Sequence, residues 1–250
     1  MSSYSCFADF YDALTQNAEY EKRADHLISL LEKHRHNPGV TLDLACGTGT
    51  LTLMLCKRGI DIFGVDSSTD MLTIAQQKAY EADKTIMYLH QKMEKLELYG
   101  TVDTCICSLD SINHLPSKKA VVDTFKGIEK YLAPDGLFVF DANTIYKHKF
   151  ILGDNCYIYD TEKVFCAWQN NYYEKDNRVV ITLDFFVPHE KRYRRFTEQF
   201  SEYAYTRHQM KEMLEQAGLR IEAVYDDLSF SEPAETSQRE IYVIRKADYE

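Results

Sequence analysis

No stretch of this chain approaches the roughly 18 uninterrupted apolar residues that a membrane-spanning helix needs, which argues against a helical membrane protein. Nor is positive charge in excess. The 250 residues carry 39 acidic against 29 basic side chains, a formal charge of −10, so the chain lacks the general electrostatic footprint of a nucleic-acid binder. Its one basic cluster, Lys191-Arg192-Tyr193-Arg194-Arg195, opens a strand-like segment. That cluster keeps a specific tRNA contact open as an alternative, beside the plainer reading of a solvated strand end. Cysteine is present but unpatterned: seven residues, an odd number, argue against a disulfide framework and read as reduced, small apolar side chains. Cys105 and Cys107 fall on opposite faces of a strand and lack a second ligand pair, so no metal site is expected. No basic-then-apolar signal stretch opens the sequence, and a cytoplasmic location is the expectation. At 45% hydrophobic residues, the chain is an ordinary globular sequence, long enough for one α/β domain with an insertion.

What is present is concentrated at Leu42-Asp43-Leu44-Ala45-Cys46-Gly47-Thr48-Gly49-Thr50. A short apolar strand runs into a glycine-bearing turn, and a helical pattern (Leu51, Leu53, Met54, Leu55) follows at once. Gly47 and Gly49 remove Cβ where the backbone must turn tightly and let a ligand approach. The helix start aims free N–H groups at a polar or anionic ligand end. A second strand, Ile60 to Val65, ends in Asp66, 17 residues after Gly49. That is close to the spacing at which Rossmann-like units place a carboxylate on a ribose diol. A lone glycine turn is weak evidence, since it also serves as a tight strand-to-helix connection; the acid after the second strand makes a nucleotide-type cofactor the better reading. A dinucleotide fingerprint would want a third glycine at position 52, where Thr52 stands.

The pattern acid-x-small-x-G-x-G, with Asp43, Ala45, Gly47 and Gly49, resembles motif I of the class I S-adenosylmethionine-dependent methyltransferases. The resemblance implies that Asp43 anchors the cofactor's amino group, that the Ala45–Gly49 turn passes under it, and that Asp66, with Ser67 beside it, meets the ribose. Met71, early in the helix that Ser67-Ser68-Thr69-Asp70 initiates, is a candidate adenine contact or plain core. After a third strand, Ile86 to Leu89, the family often carries an acid for the adenine amino group. Lys92 occupies that position here, leaving the Met93 backbone N–H as the adenine contact and Glu94 as a displaced acid. The string Val102 to Leu115 turns polar at its end, and Asp110-Ser111-x-Asn113 is similar to the family's motif IV in a branch that carries a β-sheet lid. Asp110 and Asn113 are therefore candidates for gripping the acceptor, and Asp110 and His114 for a general base; capping ahead of Pro116 is the alternative for Asn113 and His114. Tyr11, in the segment Tyr4–Asp12, is a candidate cofactor cover or a hydrophobic plug.

The rest of the chain reads as the same architecture. A helix opens at Ser117 and carries Val121, Val122, Phe125, Ile128 and Leu132 on one face, stopped by Ala133-Pro134-Asp135-Gly136. Leu137 to Asp141 is a strand buried on both faces. Thr206-Arg207-His208-Gln209 is a capping box, and Gly218 ends the helix it begins. Leu219–Tyr225 and Glu240–Ile244 read as an antiparallel closing pair, and Tyr20, Ala24, Leu27, Ile28 and Leu31 form a helical stripe ahead of the first strand. Between these, residues 156–205 alternate like strands, with a hairpin turn at Lys175-Asp176-Asn177-Arg178 and Val179, Ile181, Leu183, Phe185 and Val187 on one face.

The expected fold is α/β: a seven-stranded, mostly parallel Rossmann-like sheet with helices on both faces and an inserted antiparallel β lid. Residues 1–150 and 206–250 would form the cofactor-binding domain and 151–205 the lid, with a decorative sheet or dimer contact as the alternatives for the insertion. The resemblance implies methyl transfer from S-adenosyl-L-methionine to a nitrogen or oxygen of a small-molecule acceptor, with S-adenosyl-L-homocysteine as the product. A nucleotide-linked oxidoreductase and a non-catalytic cofactor-binding protein are the other classes. The acceptor's identity and the oligomeric state are not readable from the chain.

Overall fold

The expected apolar runs become the middle of one sheet. In the computed structural model, which describes residues 8, 10–12, 14–15 and 18–247, a helix α1 (Tyr20–Lys33) precedes strand β1 (Val40–Leu44). Then follow α2 (Thr50–Lys57), β2 (Asp61–Asp66), α3 (Thr69–Glu81), β3 (Tyr88–His90), β4 (Val102–Cys107), α4 (Lys118–Tyr131) and β5 (Leu132–Asn143). After an insertion come α5 (Arg207–Glu215), β10 (Leu219–Asp226) and β11 (Arg239–Lys246). The sheet order is β10-β11-β5-β4-β1-β2-β3. Strands β1 to β5 are parallel, and β11 runs antiparallel to both β5 and β10. Among the described residues no helix is long and apolar enough to cross a membrane. The part of the Tyr4–Asp12 segment from Tyr4 to Phe7, with Asp9, lies outside the described residues.

Strand alternation sorts the core into two layers, because successive side chains point to opposite faces. Cys105, Cys107, Phe138, Phe140, Tyr242 and Ile244 pack with Val121, Phe125, Ile128, Met210 and Leu214 of α4 and α5. Their neighbours Ile106, Leu137, Val139, Ile241 and Val243 pack with Ala24, Leu27, Leu30, Leu51 and Leu55 of α1 and α2. Helices therefore cover both faces, as a mainly parallel sheet requires. In the first layer the Phe140 and Tyr242 rings stack 4.8 Å apart and 3° from parallel.

The start signals work as their chemistry predicts. Ser68 accepts from Met71 N–H, Ser117 accepts from Ala120 N–H, and Thr206 with Gln209 forms the full capping box. One boundary differs from expectation. Ala133-Pro134-Asp135-Gly136 does end the helix, but not as a free loop: strand pairing already begins with Leu132 opposite Val102 and resumes, after a register shift, with Leu137 opposite Thr104. The irregularity places proline where no ladder bond is asked of it. The third strand is also shorter and later than Ile86–Leu89.

The insertion is a second, antiparallel sheet of four strands: β6 (Cys156–Asp160), β7 (Phe165–Tyr173), β8 (Arg178–His189) and β9 (Arg192–Tyr203), in that order. Its inner face buries Val179, Ile181, Leu183 and Phe185 together with Leu14 and, partly, Phe10 from the N-terminal segment. A wide π-type turn, Lys147–Leu152, leads from β5 into it.

Candidate functional site

The carboxyl ends of β1 and β4 are neighbours although β2 and β3 intervene in the chain, so the sheet reverses its winding between them. Open α/β sheets bind ligands at such a switch point. A crevice lies there, lined by Asp43, Ala45 and Gly47 from β1 and its turn, by Ser108 and Leu109 after β4, and by Tyr11.

The turn is built from left-handed backbone. Ala45, Gly47 and Gly49 have φ of 60°, 54° and 67°, and the two glycines serve different ends. A Cβ on Gly47 would meet no atom within 4 Å, so the turn is open on that side. A Cβ on Gly49 would lie 2.7 Å from Ala75 Cβ and 2.8 Å from the Tyr88 hydroxyl. Gly49 is thus needed for close packing against α3 and β3, which corrects the expectation that it clears space for a ligand. Ala45 holds a left-handed conformation that costs an alanine about 1–2 kcal/mol.

Asp43 is 2% exposed. Burial pushes its carboxyl up to about 7, against the Thr52 hydroxyl, which lowers it, while nearby Asp66 raises it further. Thr52, the residue standing where a dinucleotide site would have glycine, donates to Asp43 Oδ2 at 2.5 Å. Asp66 Oδ2 accepts from Gly47 N–H at 2.9 Å and Oδ1 from Ser68 N–H at 2.8 Å. Burial raises this carboxyl too, opposed by the Ser68 and Gly47 N–H groups. The end of β2 is thereby tied to the glycine turn. Asp12 closes the other side: its Oδ1 accepts from Thr48 Oγ1 at 2.7 Å and Thr50 Oγ1 at 3.2 Å, and Lys78 pairs with its second oxygen. Tyr11 is thereby held over the crevice, where burial first, then Tyr20 and Asp110, raise its phenol well above the usual value.

Of the expected cofactor residues, Tyr11, Asp43, Ala45 and Gly47 line this crevice, and Gly49, Asp66, Ser67, Met71 and Met93 do not. Ser67 is exposed, with its carbonyl accepting from His90 when that ring presents N–H at Nε2, 2.9 Å away. Met71 is buried at the start of α3. Met93 is half-buried, its sulfur 4.0 Å from the Cys107 sulfur. Lys92 is exposed.

After β4 the chain makes an unusual turn: Leu109 and Asp110 are both left-handed, at φ 59° and 52°. Their consecutive N–H groups form a nest that donates to the two oxygens of Asp141 at 2.8 and 2.7 Å. Arg239, from the start of β11, pairs with Asp141 and also donates to Asp110 Oδ1 at 2.6 Å. Arg23 of α1 lies 3.6 Å from Asp141 and grips Asp227 through Nη1 and Nη2 at 3.1 and 3.0 Å. The strained turn persists because Asp141 satisfies both of its N–H groups. Burial alone would raise the Asp110 carboxyl, but Arg239, Lys147 and His114 outweigh it and hold it well below the ordinary carboxylate range. A carboxylate held that way is a poor proton acceptor, which corrects the expectation of Asp110 as a general base.

Asn113 is 1% exposed and its amide is committed: Nδ2 donates to the Asn143 and Tyr203 carbonyls at 3.1 and 2.9 Å, and Oδ1 accepts from Asn143 N–H at 2.9 Å. It straps the end of β5 to the end of β9. The expectation that Asn113 grips an acceptor is corrected accordingly. His114, its side chain 41% exposed, faces Asp110 Oδ2 at 3.9 Å and Glu202 Oε1 at 3.7 Å. Sequence reasoning missed Glu202, Asp141, Arg239, Arg23 and Lys147. Only Asp141 left a local signal, as the polar end of an apolar strand; the others reach the site from remote segments.

The methyltransferase domain family matches residues 41–136. The protein YqeM of Bacillus subtilis (strain 168), named provisionally as a methyltransferase, is 30% identical over 245 residues, 98% of this chain and 97% of that protein. A solved S-adenosylmethionine-dependent methyltransferase from Clostridium acetobutylicum ATCC 824 superposes with a TM-score of 0.88 at 30% identity, covering 99% of this chain and 100% of that one. A dTDP-3-amino-3,6-dideoxy-alpha-D-glucopyranose N,N-dimethyltransferase from Streptomyces fradiae is 28% identical over 134 residues, 53% of this chain and 51% of its own. With a glycine turn, a buried acid at its start and a second acid after β2, all at the switch point of the sheet, the chain belongs to the S-adenosylmethionine-dependent methyltransferases.

Proposed function

We propose that the acceptor is a small molecule, methylated on nitrogen or oxygen where the segment after β4 meets the end of β9. The observation that carries this reading is the wall formed by Asp110, His114 and Glu202, which combines both sheets beside the cofactor crevice. The Streptomyces fradiae relative, by its name, acts on a nucleotide-linked amino sugar, an acceptor of the same scale. The net charge of −10 favours a small acceptor over RNA. We read residues 1–150 and 206–250 as the cofactor-binding part and 151–205 as a lid, since Phe10 and Leu14 pack on the insertion and Glu202 reaches inward from it. A cytosolic location belongs to the same proposal.

S-adenosylmethionine, when bound, supplies a methyl group already activated by its sulfonium. The protein's part is to align and to exclude water. In this reading Asp43 holds the amino end of the cofactor, Gly47 gives it room, Asp66 takes the ribose and Tyr11 covers it. Asp110 contributes a fixed negative charge, and His114 takes a proton from the acceptor where one must leave.

Calorimetric titration with S-adenosylmethionine and S-adenosylhomocysteine, followed by product detection over a panel of small amines and alcohols and over tRNA, tests this. Binding of both, with turnover confined to small acceptors, is expected. Turnover of tRNA alone would sink the small-molecule reading, and unchanged affinity in Asp66→Ala would remove the ribose assignment.

A further inference from the structure

We infer that Asp141 is a positioning residue for the cofactor: it acts through the backbone of Leu109 and Asp110, holding a strained turn in the wall of the crevice before the cofactor arrives. The inference rests on the reading above that S-adenosylmethionine binds in this crevice, and it deepens that reading.

The turn after β4 does not hold itself. Leu109 and Asp110 are both left-handed, at φ 59° and 52°, a conformation that crowds Cβ against the following carbonyl and that a bulky side chain rarely adopts. Glycine would take it freely. Leu109 stands there instead, and it lines the crevice beside Ser108 and Ser111. The strain therefore sits in the lining of the cofactor site itself, and strained backbone persists only where its surroundings over-determine it.

The carboxylate of Asp141, 4% exposed, supplies that determination. Its Oδ2 accepts from Leu109 N–H at 2.8 Å and its Oδ1 from Asp110 N–H at 2.7 Å. Hydrogen bonds to an ionised carboxylate are roughly twice as strong as neutral ones, and this acid gives one to each strained residue. The acid is held in turn from two sides. Its Oδ1 also accepts from Arg239 of β11, and its Oδ2 lies 3.6 Å from Arg23 Nη1 of α1.

The curl of the turn is passed onward. The Asp110 carbonyl accepts from Asn113 N–H at 2.8 Å, and the Ser108 carbonyl accepts from the Ser111 hydroxyl at 2.8 Å, so the place of Ser111 in the lining follows from the same geometry.

Charge balance alone does not explain where Asp141 sits. Arg23 already grips Asp227, and Arg239 already donates to Asp110, so neither arginine depends on Asp141 for a carboxylate. What Asp141 adds is a pair of acceptor oxygens for two consecutive N–H groups. A wall shaped in advance spares cofactor binding the cost of ordering it.

The test is calorimetric titration of the full chain with S-adenosylhomocysteine, below the unfolding temperature of every variant. Asp141→Asn offers one acceptor oxygen to two N–H groups, while Arg23 keeps Asp227 and Arg239 keeps Asp110. Affinity is expected to fall about tenfold. Leu109→Gly separates positioning from general weakening. In the Asp141→Asn background the relaxed turn must be curled again on binding, and glycine removes that strain, so affinity should recover about fivefold. In the wild type the turn is already curled in the free protein, so Leu109→Gly should bring no gain. The Leu109 and Asp110 amides of the wild type should also be protected from hydrogen exchange before any cofactor is added, a measurement that stands even if Asp141→Asn does not fold. Full affinity in a folded Asp141→Asn, an equal effect of Leu109→Gly in both backgrounds, or amides that gain protection only with S-adenosylhomocysteine would each overturn the inference. A wild-type protein that binds no S-adenosylhomocysteine would instead sink the cofactor reading.

Discussion

The two glycines of the turn, two residues apart, are predicted to fail in opposite ways when each is changed to alanine. In Gly49→Ala the new Cβ lands 2.7 Å from Ala75 Cβ, 2.8 Å from the Tyr88 hydroxyl and 3.3 Å from Ala75 Cα, at φ 67°. The backbone of α3 cannot yield cheaply, so overpacking costs about 1–3 kcal/mol. The left-handed conformation adds about 1–2 kcal/mol, and the stiffer unfolded chain returns about 0.4–1 kcal/mol. The sum is about 1–4.5 kcal/mol, which lowers Tm by about 2–18 °C in a domain of this size. In Gly47→Ala nothing lies within 4 Å of the new Cβ, so only the backbone terms remain, about 1 kcal/mol. That methyl instead occupies the side open to the cofactor, and S-adenosylhomocysteine affinity is expected to drop at least about tenfold. Thermal unfolding followed by circular dichroism, with calorimetric titration of both variants, checks the pair. A stable Gly49→Ala, or a Gly47→Ala that binds normally, would refute the division of labour.

Buried Asp43 predicts a pH dependence. Its acid is raised, so the ionised form is penalised in the folded state: the destabilisation is absent below the ordinary value of 3.8 and complete above about 7, amounting to about 4 kcal/mol. The cofactor's cationic amino group favours the ionised form, so affinity should climb about tenfold per pH unit up to about 7 and then flatten. Calorimetry in buffers of different ionisation enthalpy should record about one proton released on binding at pH 6, and affinity flat between pH 5 and 7 would remove Asp43 from the cofactor's amino end. Arg239→Gln leaves Asp141 and Asp110 without their buried cation and should cost about 3–5 kcal/mol in urea unfolding. Asp110 is held low, so its contribution exists above the ordinary carboxylate range and is lost as pH falls; in the variant, acid unfolding should move to higher pH. Asp12→Ala frees the N-terminal segment from Thr48, Thr50 and Lys78, and stopped-flow release of S-adenosylhomocysteine should accelerate by about three- to tenfold.

Local chemistry was enough for the sequence to determine the frame. Asp43, Gly47 and Asp66 stand within a few residues of strand ends, and glycine, capping and alternation signals act over the same short range; the seven-stranded sheet and the inserted antiparallel sheet follow from them. The residues proposed to hold the cofactor were legible for that reason. What only the tertiary structure decided is the cluster of charged residues proposed to face the acceptor. Asp141, Arg239, Arg23 and Glu202 come from β5, β11, α1 and β9, and nothing in any one segment announces that the others will meet it. The same long-range contacts turned Asn113 into a strap and Asp110 into a fixed charge. They also divided the two glycines, since what a Cβ would strike depends on α3 and β3 folding back over the turn.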